Sequence, residues 1–168
     1  MKLFPKTIFF IFCVALLFIS ASNPTHGQQK GNVSPDIRCS VCGMFVAKYP
    51  NWLTQIRYDD LKKVRFFDGV KDMMVFYFNP EHFGGAPRQG IKDILVKDYY
   101  SLELLSAKKT FFVVGSDIYG PMGHELIPFS SKDAAENFMN DHHGKQILTF
   151  DMITEELIES LRIGQRMR

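Results

Sequence analysis

Trp52-Leu53-Thr54-Gln55-Ile56-Arg57-Tyr58, followed by Val64-Arg65-Phe66-Phe67-Asp68-Gly69, decides the fold class. The first run alternates broadly between apolar and polar side chains. The second is short and rich in aromatic and β-branched residues, and both patterns predict strands. Asp59-Asp60 supplies the turn between them, and Asp68-Gly69 opens a helix with Met73, Met74, Phe76 and Tyr77 along its apolar side. Two strands running into an amphipathic helix predict an α+β domain, because the helix needs a sheet face to bury against.

Further along, Asn79 to Gly90 contains Pro80, Gly84, Gly85, Pro87 and Gly90, the composition of a loop, and marks a seam between two halves. Ile94-Leu95-Val96-Lys97-Asp98 and Thr110-Phe111-Phe112-Val113-Val114 read as strands beyond it, Gly120-Pro121-Met122-Gly123 as a turn, and Glu125 to Phe129 as another strand. Ser130-Ser131-Lys132-Asp133 fits a capping box before Ala134, Ala135, Phe138 and Met139 at helical spacing, and Gly144 ends that helix. Gln146 to Phe150 is a last strand and Thr154 to Ile163 a terminal helix. Each half has a methionine-bearing loop, a strand, and a Lys-Asp pair opening a helix (Lys71-Asp72 and Lys132-Asp133). The expectation is two related ββαβ-like units packed into one small globular protein. The domain runs over 37–168, with a first unit at about 37–79, a linker at 80–92 and a second unit at about 93–160.

Met1 to Gly27 reads as a secretory signal: Lys2 and Lys6 form a basic start, Ile8 to Ile19 an apolar run, and Ser20-Ala21-Ser22 or Thr25-His26-Gly27 a cleavage site. The apolar run is shorter than the roughly 18 residues of a membrane span. Residues 28–36 are a flexible lead-in. Cys13 lies inside the apolar run with no small residue before it, so it reads as a leader residue and not as a lipid-modified N-terminus. The 20 basic residues fall to 18 when the leader takes Lys2 and Lys6, matching 18 acidic ones. That balance excludes the strong electrostatic footprint of a nucleic-acid or anionic-membrane binder.

Cys39 and Cys42 are the cysteines left after the leader. With Met44 they place three soft sulfur atoms in the six residues Cys39-Ser40-Val41-Cys42-Gly43-Met44. A two-residue spacer closes too small a loop for a disulfide to add much stability, so the pair points to chemistry. Structural zinc wants four ligands in a closed tetrahedron. No second Cys-x-x-Cys is present, and His142-His143 are adjacent, without the usual spacing. Thiol–disulfide exchange favours a pair that opens a helix, whereas Gly43 directly after Cys42 favours a turn. Cu(I) accepts two to four soft donors in flexible geometry, and thiolate with thioether suits it. Met44 is either such a donor or a core filler. Gly120-Pro121-Met122-Gly123-His124 is a second candidate, offering thioether and imidazole; taken alone, it also reads as a turn with a half-buried methionine and a solvated histidine. His142 and His143 suit the dipole at a helix C-terminus. No catalytic triad, phosphate-cradling loop or carboxylate-pair signature stands out, which predicts a binder and not an enzyme.

Cys39-x-x-Cys42-Gly43-Met44, Val96-Lys97-Asp98-Tyr99-Tyr100 and Val114-Gly115-Ser116-Asp117-Ile118-Tyr119-Gly120-Pro121-Met122-Gly123-His124-Glu125 together resemble the NosL family of nitrous-oxide-reductase accessory proteins, over about Asp36 to Leu157. The resemblance implies a periplasmic Cu(I) chaperone of denitrification. Its partners would be an apo copper enzyme such as nitrous oxide reductase and a membrane ABC-type assembly complex. It also implies a pair of ββαβ-like units, and makes Met44, Met122 and His124 copper donors beside Cys39 and Cys42. Many members are lipoproteins; the leader here lacks such a site, so a soluble exported form is expected.

Overall fold

In the computed structural model, residues 33–59 and 64–166 are described. The expected signal, most of the lead-in and Asp60 of the expected turn lie outside them. Strands β1 (Thr54–Tyr58) and β2 (Val64–Phe67) pair antiparallel, with Thr54 opposite Phe67 and Gln55 opposite Phe66. Trp52 and Leu53 stay out of β1 because Pro50–Trp52 forms a short 3-10 turn. Helix α1 (Val70–Phe78) follows β2 directly, and its first seven residues are all buried.

The chain then returns through the Pro/Gly-rich loop as β3 (Ile91–Lys97), which pairs antiparallel with β1 and with β4 (Leu104–Ser106). The first sheet therefore runs β2-β1-β3-β4. Here the structure differs from the expected division. The strand placed at the opening of a second unit belongs to the first sheet, and residues 80–90 are a crossover inside it. A loop rich in proline and glycine marks a change of direction, which a crossover needs as much as a domain seam does.

Strand β5 (Phe111–Val114), a hairpin of β6 (Tyr119–Gly120) and β7 (Gly123–His124), β8 (Ile127–Phe129), helix α2 (Lys132–Asp141) and β9 (Gln146–Thr149) come next. The second sheet runs β8-β5-β9, all antiparallel. The Ser131 hydroxyl caps α2 by accepting from Ala134 N at 3.2 Å, as the sequence predicts. Helix α3 (Glu155–Arg166) closes the chain. The class is α+β, as expected. In each sheet the first strand of a β–β–helix–β run lies between the other two.

The sheets share a core because β5 serves both of its faces. Phe112 and Val114 join Ile56, Phe67, Phe76, Val96 and Ile158 in one cluster. Val113, alternating to the other face, packs with Ile127, Phe129, Ala135 and Phe138 under α2. Asp98 ties the layers by backbone contacts. Its Oδ1 accepts from Tyr100 N and Ser101 N at 3.1 and 2.7 Å, and its Oδ2 from Ser130 N at 2.7 Å.

Candidate metal centre

The Cys39–Met44 segment is a closed loop. Cys39 N donates to Met44 O at 2.8 Å and Gly43 N to Cys39 O at 3.0 Å. Gly43 sits at φ +77°, the left-handed region that glycine enters without strain, and no atom would obstruct a Cβ there, so the backbone angle sets this position. Arg38 holds the loop from outside: its guanidinium donates to Gly43 O at 2.9 Å and lies 3.9 Å over the Phe45 ring. Ser40 N donates to Phe66 O at 3.1 Å and docks the loop on β2.

That docking brings the two thiols against the start of α1. Cys39 Sγ lies 3.5 Å from Asp72 Oδ2, and Cys42 Sγ lies 3.4 and 3.5 Å from the two Asp68 oxygens. One donor atom from each of these four residues falls within 4.8 Å of all the others. Cys39, Asp68 and Asp72 are only 3%, 1% and 5% exposed, and Cys42 is half-buried. Burial raises the Asp72 carboxyl above its ordinary range; the thiol hydrogen bonds oppose this and the Asp68 charge adds to it. Cys42 is also raised, first by its hydrogen bond with Cys39 and then by burial, so it stands as a protonated thiol at neutral pH.

Asp68 and Asp72 escape a sequence reading that looks for sulfur and imidazole. They stand 26 and 33 residues from their thiol partners. One signal was present: Asp68, Lys71 and Asp72 are charged residues in an otherwise apolar stretch from Phe66 to Phe78. Buried charges are kept where they are paired or bind metal.

The second candidate stretch is a tight hairpin, with Pro121 and Met122 between β6 and β7. The next residue from Asp72 fastens it. Lys71 Nζ donates to Met122 O at 2.6 Å, while Lys71 N donates to Glu125 Oε1 at 2.6 Å. Glu125 is fully buried, and burial pushes its carboxyl up to about 8 against the pull of the Leu126 and Lys71 contacts. A Cβ on Gly69 would clash with Glu125 Oε2, so glycine there lets the helix start approach the carboxyl. His124 is half-buried on β7, its ring 4.9 Å from that of Tyr119, and it is outside the four-residue group. Met44 is half-buried within the cysteine loop. The structure thus brings Cys39 and Cys42 together and ties the backbones of Met44 and Met122 to the elements that carry the thiols and Asp72. His142 lies elsewhere, with Nδ1 3.0 Å from Asp117 Oδ1 at the end of α2. His82 lines a separate cavity of about 390 Å³ between the ends of α1 and α3.

Two half-buried or buried thiols facing two buried carboxylates can capture a metal cation by exchanging protons for the ion. Known proteins similar to this chain are named for copper binding. The NosL family model matches residues 30–158. A copper-binding lipoprotein NosL from Achromobacter cycloclastes is 29% identical over 163 residues, covering 89% of this chain and 81% of the relative. One from Stutzerimonas stutzeri is 24% identical over 124 residues, covering 72% and 64% respectively. Among solved structures, the crystal structure of the copper chaperone NosL from Shewanella denitrificans matches with a TM-score of 0.65 at 27% identity, over 77% of this chain and 98% of that one.

Proposed function

This chain belongs to the NosL family, and on that premise we propose that it is an exported Cu(I) carrier supplying copper for maturation of nitrous oxide reductase or a related copper enzyme. The observation that carries the reading is the thiol pair of Cys39 and Cys42, turned toward each other on a closed loop, Cys39 buried and Cys42 half-buried. Relatives named as copper-binding proteins and as a copper chaperone support the metal. Cys39 and Cys42 are the primary donors. Met44, Met122 and His124 are the candidates for the remaining places, and two to four donors in all suit Cu(I). Lys71 sets the Met122 hairpin against the first turn of α1, where a thioether donor would complete a sulfur-rich site.

Carriage requires a grip that a client can loosen. A ligand set drawn from two loops allows the client's sulfur or imidazole to replace one donor at a time, without free copper forming. Partners are then an apo copper enzyme and a membrane ABC-type assembly complex on the same side of the membrane. Among the described residues, no helix is long and apolar enough to cross a membrane.

A Cu(I) competition titration of the reduced protein against a chromophoric chelator tests the reading. One Cu(I) per chain is expected. Cys39→Ser should weaken binding by more than ~100-fold, since even groups outside the coordination shell are worth 10–100-fold. Met122→Ala should weaken it less. Equal affinity with both thiols replaced would sink the carrier, as would copper transfer to an apo client no faster than spontaneous loss.

A further inference from the structure

Of the stretches that carry the family resemblance, the thiol loop and the β6–β7 hairpin belong to the candidate metal centre, and Val96-Lys97-Asp98-Tyr99-Tyr100 does not. Val96 is a core residue, Asp98 ties the two layers, and Tyr99 packs edge-on against Phe138 at 4.9 Å. Tyr100 has no comparable structural duty. Its ring rests on those of Tyr99 and Phe129, 5.4 and 5.5 Å away, and still leaves the residue 54% exposed. Two residues on, Leu102 is 43% exposed.

Leu102 is also strained. It sits at φ +59°, the left-handed region that side chains other than asparagine and aspartate seldom enter. The turn imposes the angle. Leu102 N donates to Asp98 O at 3.0 Å, Asp98 N to Glu103 O at 2.9 Å, and Glu103 N to the Ser101 hydroxyl at 3.3 Å. Glycine would take this angle without steric cost, and a leucine so exposed recovers little of the strain by burial. Strain held in place by surrounding hydrogen bonds marks ligand clamps, and tyrosine is enriched among the residues that anchor interfaces.

The charge around this pair is acidic. Glu103 follows Leu102 on the surface, and Asp141 at the end of α2 adds to burial in raising the Tyr100 phenol. Asp98, buried in the same turn, is held ionised by its amide donors. Lys97, the lysine of this stretch, gives its ammonium to Pro50 O at 2.7 Å. Such a surface repels anionic lipid headgroups, and it complements a protein pocket with an apolar floor and lysine or arginine at the rim.

We infer that Tyr100 and Leu102 form a preorganised apolar knob that docks a protein partner through a basic-rimmed pocket. The knob deepens the carrier reading and rests on it for the partner, which is the protein that takes or relays the copper. In the first sheet the knob lies at the β4 side and the thiol loop docks on β2 at the other edge. Three strand spacings are about 15 Å, and one interface of standard size, about 800 Å² per partner, spans that width.

The test separates docking from metal binding. The reduced full chain, its Tyr100→Ser and Leu102→Gly variants, and a Glu103→Gln/Asp141→Asn variant are assayed by biolayer interferometry at low and high salt. The probes are apo nitrous oxide reductase and, separately, the ABC-type complex in detergent; Cu(I) affinity is titrated on the same preparations. Wild type should bind at least one probe. Tyr100→Ser and Leu102→Gly should each weaken that binding by at least ~10-fold, and leave Cu(I) affinity within ~3-fold. The charge variant should flatten the salt dependence. Leu102→Gly should melt no lower than wild type, since relief of strain offsets the added freedom of its unfolded chain; lost docking is then not lost folding. Variants that dock like wild type overturn the knob, and so does a Leu102→Gly protein that melts well below wild type, which makes the leucine a structural residue. Wild type that binds Cu(I) but neither probe overturns the knob and leaves the copper site standing. A chain that docks through Tyr100 and Leu102 but takes no Cu(I) does the reverse. Dimers that depend on Tyr100, seen by sedimentation without docking to either probe, make the occupant a second copy and overturn the assignment.

Discussion

Cys42 is held in its protonated form by its surroundings. Its neighbour Cys39 and its burial both favour the protonated thiol, and Asp72, itself pushed toward its neutral form by burial, adds to the effect. Metal must therefore expel at least one proton at neutral pH. The sign follows directly: raising the pH removes a competitor for the thiolate, so apparent Cu(I) affinity increases with pH. One proton released corresponds to tenfold per pH unit, or about 1.4 kcal/mol. Competition titrations at pH 6, 7 and 8 should show a rise of at least that slope, and a flat profile would mean that both sulfurs are already thiolates in the apo protein. The thiols themselves were legible in the sequence, since two cysteines and a methionine in six residues have few bland explanations. Asp68 and Asp72 were not, because their closeness to sulfur exists only after β2 has placed Phe66 O under Ser40 N.

Helix α1 and the β6–β7 hairpin are joined by the Glu125–Lys71 contacts, and that junction should titrate. Glu125 ordinarily ionises near 4.5 and in the fold only near about 8. The folded state therefore holds a proton that the unfolded chain has released across this window. Its contribution to stability is fully present below pH 4.5 and is lost as the pH rises through 8, at up to about 1.4 kcal/mol per unit. Urea unfolding of the metal-free protein at pH 5, 6, 7 and 8 should show this decline. Glu125→Gln keeps an oxygen for Lys71 N and Leu126 N while removing the ionisation, so its profile should be flatter, with higher stability than wild type at pH 8. A parallel decline in both proteins would place the effect elsewhere. At this scale the sequence was informative about type and less so about partnership. The α2 cap at Ser131, the β2 strand and the α1 start followed from local chemistry. The pairing of β3 with β1 did not, since alternation in Ile91–Lys97 says that one face is buried and not against which strand.

Across the whole molecule, the two sheets behave as one cooperative body if β5 and Asp98 do what their contacts imply. Phe112 and Val114 commit one face of β5 to the first sheet's core, while Val113 commits the other to α2. Asp98 adds a polar lock at the edge, joining the β3–β4 turn to the β8–α2 turn. Tyr99 N reinforces it by donating to Pro128 O at 2.9 Å. Burial alone would raise the Asp98 carboxyl, but the amide donors of Ser101 and Ser130 overcome that and hold it below its ordinary 3.8. Asp98 thus acts as an ionised acceptor: its stabilisation is present above pH 3.8 and fades as the pH falls through the lower folded value. Asp98→Ala strands three backbone N–H donors, two of them at the turn and one at the entry to α2. With about 1 kcal/mol for each of the three hydrogen bonds, whose donors sit on exposed residues that water can reach, a loss of about 3 kcal/mol is expected. Because the lock spans both sheets, the loss should appear as one shifted transition in near- and far-ultraviolet circular dichroism alike. A variant in which the β5-β8-β9 sheet melts separately from the rest would show that the shared core, without Asp98, does not couple them. The Cu(I) binding proposed at Cys39 and Cys42 should persist in this variant below its melting temperature, because the thiol loop rests on β2 and α1, away from the lock.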